Sequence, residues 1–115
     1  MRISLRRNGI YIPEWRGNRE LPENEQLQVE FEYLTAADKE ELFVSNNSAS
    51  VGSLTRQVWN RKVKKFYNFE LEVDGEIIQP TPETVLNLPD TFDLFTEVST
   101  HIFEASYLDK ETQKN

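Results

Sequence analysis

The chain has 115 residues, with no cysteine, one histidine, 13 Lys plus Arg and 20 Asp plus Glu, for a formal net charge of −7. That length holds one domain with one modest core, and the composition excludes disulfides, zinc–thiolate sites, Cys nucleophiles and multi-histidine metal sites. No apolar run approaches a membrane span, and residues 1–7 lack the apolar region of a signal peptide, which points to a soluble intracellular protein.

Ile3 and Leu5, then Ile10 and Ile12 before Pro13, alternate around Asn8-Gly9, a dipeptide suited to a type I′ turn, so a hairpin is expected over residues 3–13. Trp15 to Asn24 is rich in turn formers and reads as loop. Leu27, Val29, Phe31 and Tyr33 alternate with Gln28, Glu30 and Glu32, the mark of a strand with one apolar and one wet face. Thr35 followed three residues later by Asp38 suits a helix start, and a short helix is expected over 36–43. Residues 45–52, Ser- and Asn-rich, read as a mobile loop.

From Ser53, the positions Leu54, Val58, Trp59, Val63 and Phe66 predict one amphipathic helix with a cationic opposite face. Phe69 to Val73, Asp74-Gly75 and Glu76 to Ile78 predict a second hairpin. Thr81-Pro82-Glu83 opens a short helix that Pro89 ends, with Asp90 or Thr91 capping the last one. In that last helix, Phe92, Phe95, Val98, Ile102, Ala105 and Leu108 form an apolar stripe over residues 91–107, flanked by Phe103 and Tyr107. The sum is a single α+β domain over 1–109, with a small antiparallel N-terminal sheet packed with three to four helices. The C-terminal half is mainly helical, and 110–115 form a frayed polar tail.

Charge is sorted into blocks. Residues 1–19 carry five Arg against Glu14, residues 20–45 eight acids against Lys39, residues 56–65 five bases and no acid, and residues 66–109 ten acids with neither Lys nor Arg. Such blocks pair internally or steer a partner of opposite sign. The acidic excess argues against general nucleic-acid binding, and the basic 56–65 segment reads as a solvated helix face opposed by acids of residues 70–109.

Catalysis finds little to work with. His101 lies in the last helix with no recognisable nucleophile or orienting group. Glu30 and Glu32 read as the wet face of a strand. Asp90, Asp93 and Glu97 suit the positive end of a helix dipole, and no EF-hand or phosphate-cradling glycine pattern is present. Trp15, in a polar loop, either folds back or anchors a partner. The expectation is a non-catalytic, cofactor-free and metal-free protein that binds other proteins through apolar surface, with Trp15, Trp59, Phe66, Phe95 and Phe103 as candidate contact residues.

Ile10-Tyr11-Ile12-Pro13-Glu14-Trp15-Arg16-Gly17-Asn18, the alternating strand after it, and Leu34-Thr35-Ala36-Ala37-Asp38 are followed by Val73-Asp74-Gly75, Thr81-Pro82-Glu83, Leu88-Pro89 and a long closing helix. In this order of pieces, spanning roughly residues 10–109, the chain resembles the tail assembly chaperones of long-tailed bacteriophages and prophages. The resemblance implies a factor of the bacterial host cytoplasm, absent from the mature virion, that binds the tape measure protein and keeps it soluble during tail tube assembly. It also implies a longer frameshifted form, with slippage near Gln113-Lys114-Asn115, that would recruit the tail tube protein. No nucleic-acid or membrane partner is expected, and self-association stays open. The alternatives are a virion structural protein, such as a tail terminator or head–tail connector subunit ringed through its sheet edges, and a small acidic inhibitor.

Overall fold

The alternation after Gln26 becomes the centre of the molecule. The structure, a computed structural model, describes residues 1–45 and 51–113. In it β2 (Gln28–Glu32) is the middle strand of a three-stranded antiparallel sheet, between β1 (Asn8–Tyr11) and β3 (Val63–Tyr67). Period two puts Val29 and Phe31 on one face, sealed at 0% and 1% exposure, and leaves Gln28, Glu30 and Glu32 half-buried on the other. Full burial of side chains this size stabilises by about 1.5–3 kcal/mol each.

Two expectations fail around this strand. The chain does not turn at Asn8-Gly9. Gly9 sits opposite Phe31, where a Cβ would come within 2.7 Å of Phe31 Cζ and 2.9 Å of the Tyr33 hydroxyl, and its φ is not positive. Glycine is there to admit two rings, so β1 pairs with β2 and residues 1–6 form an irregular, exposed arm instead of a hairpin strand. Likewise the predicted helix through Phe66 stops early: α2 (Val51–Lys62) leads directly into β3. Val63 and Phe66 keep a helix-like spacing, but pairing opposite Phe31 and Val29 claims them for the sheet, across a bulge at Glu30/Phe31. The third strand thus comes from beyond the N-terminal half.

Other local signals hold. Before α1 (Ala36–Ser45), the Thr35 N–H donates to Asp38 Oδ2 at 2.8 Å and the Asp38 N–H to Thr35 Oγ1 at 3.0 Å, a reciprocal capping box. The predicted Ser/Asn-rich loop falls mainly at 46–50, outside the described residues. β4 (Leu71–Val73) and β5 (Glu76–Ile78) form the second hairpin, with Asp74 at φ 51° and Gly75 at φ 85° as a type I′ turn requires. Thr81 Oγ1 accepts from the Thr84 N–H to cap α3 (Pro82–Val85).

The chain closes with α4 (Phe92–Gln113), which lies against α2 and β2. Its buried residues are Leu94, Val98, Ser99, Ile102 and Ser106: Val98 and Ile102 keep their predicted places, Leu94 joins them at i, i+4, and Phe92 is 71% exposed. Thr91, not Asp90, is the buried residue at its start, but its hydroxyl donates to the Val85 and Leu88 carbonyls and locks the α3–α4 corner instead of capping an N–H. Leu94, Val98 and Ile102 make one core with Leu27, Val29, Phe31, Leu34, Leu42, Val58, Trp59, Val63 and Val85.

Candidate binding cleft

The segment from Trp15 to Glu20, predicted as loop, is a 3-10 helix broken by positive φ at Arg16 (52°) and Gly17 (73°). Buried Asn18 ties it down: its Nδ2 donates to the Pro13 and Leu27 carbonyls at 2.9 and 3.1 Å, and its Oδ1 accepts from the Leu27 N–H at 2.7 Å. This amide satisfies three backbone groups at once, which is why a polar side chain is tolerated inside. Trp15 is thereby held half-buried, edge-on to Phe69 with ring centroids 6.1 Å apart, and with the Arg16 guanidinium 5.2 Å from its ring.

Between this segment, Phe69–Asp74 and the Leu88–Thr91 corner opens a cleft of about 470 Å³, within the size range of ligand sites. Trp15, Leu27, Phe69, Leu71 and Leu88 supply apolar lining, and five carboxylates, Glu25, Glu70, Glu72, Asp74 and Asp90, stand against one cation, Arg16. All four non-glycine residues with positive φ among the described residues, Arg16, Asn68, Asp74 and Asp90, also line it. Uncommon backbone conformations concentrate where structure is shaped for a task, and here they sit around one opening.

The sequence-selected aromatics distribute unevenly. Trp15, Phe66, Trp59 and Phe95 belong to one run of ring contacts that passes through Phe69: Phe69–Phe66 at 5.2 Å, Phe66–Trp59 at 6.1 Å, Trp59–Phe95 at 5.4 Å, and on to Phe92 at 6.2 Å. Trp59, at 1% exposure and donating Nε1–H to the Pro82 carbonyl at 2.9 Å, is core. Phe66, Phe95 and Phe103 are half-buried against the core. Only Trp15 of the five lines the cleft; the sequence pattern gives Phe69 a strand position alone and places Phe92 on the apolar stripe. A second groove, of about 660 Å³, runs past Arg56, Asn60, Pro82 and Leu86 over the edge of Trp59, with a more polar lining.

The residues weighed for acid–base chemistry are engaged in structure. His101 stacks on Tyr11 with centroids 3.9 Å apart and meets Phe31 edge-on at 5.6 Å. Glu97 accepts from the Tyr11 hydroxyl at 2.7 Å and the Glu14 N–H at 2.6 Å. Burial and that carboxylate push the Tyr11 phenol up to about 12. Glu30 accepts from the Tyr67 hydroxyl at 2.8 Å. The basic segment finds its acids in the preceding acidic block, not in residues 70–109: Lys62 Nζ lies 2.6 Å from Asp38, Arg61 2.8 Å from Glu41, and Lys64 3.6 Å from Glu32. Burial pushes the Asp38 carboxyl up, but hydrogen bonds from Lys62 and Thr35 outweigh it and hold the group at about 2.

Among the described residues, no three His, Asp or Glu side chains gather as a metal would need, and no helix is long and apolar enough to cross a membrane. Comparison with protein-family models, with curated proteins and with solved structures finds no match to this chain. Its physical features alone must carry a functional reading.

Proposed function

We propose that the protein is a non-catalytic tail assembly chaperone of the long-tailed phage kind, acting in the host cytoplasm by holding segments of the tape measure protein in the Trp15 cleft. The observation that carries the reading is this cleft: an apolar lining held open by an anchored 3-10 segment and ringed by carboxylates. A long helical client that must be kept from aggregating offers amphipathic segments, and a helix face docks into such a groove through its apolar positions while charge around the rim sets register and rate. Trp15 and Phe69 would be the anchors, since large aromatics carry most of the binding energy at interfaces. The order of elements that prompted the resemblance, from the Ile10–Asn18 segment to the long closing helix, is consistent with it.

The test is co-expression with the tape measure protein encoded nearby. The wild-type chain should render that protein soluble and co-purify with it, and Trp15→Ala with Phe69→Ser should abolish both while the chain itself stays folded. A tape measure protein that is equally insoluble with and without this chain would overturn the assignment.

A further inference from the structure

The arm that failed to become a hairpin strand carries the chemistry that the cleft lacks. Ile3 and Leu5 are 66% and 85% exposed, and Arg2, Arg6 and Arg7 have no ion pair among the described residues. In an extended conformation, period two places Met1, Ile3 and Leu5 along one edge and Arg2 and Arg6 along the other. Five carboxylates against one cation around an apolar lining are the complement of that pattern.

Connectivity keeps the two apart within one copy. β1 enters the sheet with Asn8 opposite Glu32 and runs towards Tyr11 opposite Val29, and the Arg7 carbonyl accepts from the Tyr33 N–H at 2.9 Å. The arm therefore leaves from the Tyr33 end of β2, whereas the cleft lies at its Leu27 end. We propose that residues 1–7 of one copy seat in the Trp15–Phe69–Leu71 cleft of a second copy, with Ile3 and Leu5 on the apolar lining and the arginines against Glu70 and Glu72. The contact is head-to-tail, so each copy offers one arm and one cleft, and association propagates with concentration. This self-docking does not depend on the identity of the client. If the cleft also holds client, the arm covers it until client arrives.

Sedimentation of the full chain across a concentration series tests this. The wild type should exceed its 13.5 kDa monomer mass as concentration rises, and rising salt should reverse the effect. Leu5→Asp in the arm, or Glu70→Lys with Glu72→Lys in the cleft, should each leave a monomer; both sites are surface-placed, and circular dichroism checks the fold. Mixing the two variants should give a one-to-one heterodimer and nothing larger, since one keeps its cleft and the other its arm. A peptide of residues 1–9 should bind the Leu5→Asp chain with a saturable change in tryptophan fluorescence. The Glu70→Lys/Glu72→Lys change should weaken it by about tenfold or more, as loss of close charge pairs does, and a peptide with Arg2 and Arg6 replaced by Glu should restore binding to the charge-reversed cleft. A wild type that stays monomeric, an assembly that survives in both variants, or a peptide that does not distinguish the two clefts would overturn the proposal.

Discussion

β2 and the β4–β5 hairpin are written in the same code and meet opposite fates. Both alternate apolar with acidic residues: Val29 and Phe31 about Glu30, Leu71 and Val73 about Glu72. β2 has a strand on each side and α4 against it, so its apolar residues are sealed; β4 and β5 pair only with each other, Leu71, Val73 and Ile78 stay half-buried, and Ile77 is 70% exposed. Alternation specifies a strand, while its neighbours decide whether the apolar face becomes core or an opening. A two-stranded ribbon is marginal by itself, and elements at the low-stability end of a structure are those that ligand sites draw upon.

The sharpest break in that comparison is a matched pair of truncations. Trp59→Ala removes a fully buried ring together with its bond to Pro82 and should cost about 3–5 kcal/mol in urea denaturation. Ile77→Ala, at an exposed position, should stay within about 0.5 kcal/mol. Comparable losses at the two sites would show that the hairpin belongs to the core.

Next in size is the ion cluster that joins α1 to α2. With Asp38 at about 2 in the folded chain against an ordinary 3.8, the native state holds the deprotonated form more tightly. The resulting stabilisation, about 2 kcal/mol at roughly 1.4 kcal/mol per pKa unit, is present above pH 4 and lost as pH falls through the folded value near 2. Urea midpoints measured across that window should show this fall in the wild type. Asp38→Asn should lower stability at neutral pH by a similar amount, because the Lys62 ammonium, only 9% exposed, loses its 2.6 Å partner, and the variant should lack Asp38's share of the acid slope.

An effect of comparable size is expected at Gly9. Gly9→Ala should cost about 1–3 kcal/mol, because the ring of buried Phe31 lies where the new methyl must go. The variant's amide spectrum should change at Phe31 and Tyr33. A neutral outcome would mean that the sheet yields at β1.

This position also shows where sequence reading succeeds and stops. Asn8-Gly9 and Asp74-Gly75 are the same signal, yet only the second is a turn, because Gly9 answers to rings 22 and 24 residues downstream that no local pattern reveals. The capping pair Thr35/Asp38 and the Thr81 cap were legible because their partners lie three residues away. Val63 and Phe66 carry a helical spacing that breaks the strand period, and only the bulge against β2 lets the sheet claim both. Within the cleft, Trp15 stood out as a large aromatic in a polar loop. Four of the five carboxylates lie in the base-free block of residues 66–109, which already marks that block as acidic, whereas Asn18 gives no sign in sequence that it is buried and organises the wall.

The last substitution has a modest effect but is the most discriminating, because it separates local from global opening. Gly75 has φ 85° and nothing within 4 Å of an added Cβ, so Gly75→Ala acts through backbone conformation alone, at about 1 kcal/mol. If β4–β5 opens independently of the core, the protected amides of residues 71–78 should exchange faster than the core amides already in the wild type, and roughly fivefold faster again in the variant, with global stability falling by no more than the same cost of about 1 kcal/mol. Since Leu71, Glu72 and Val73 line the cleft, binding that requires a formed hairpin should scale with its closed fraction and so change little while the closed form dominates. Exchange at residues 71–78 as slow as that of the core amides would mean that the hairpin unfolds only with the core, and the contrast between the two strands would then be one of burial but not of cooperativity.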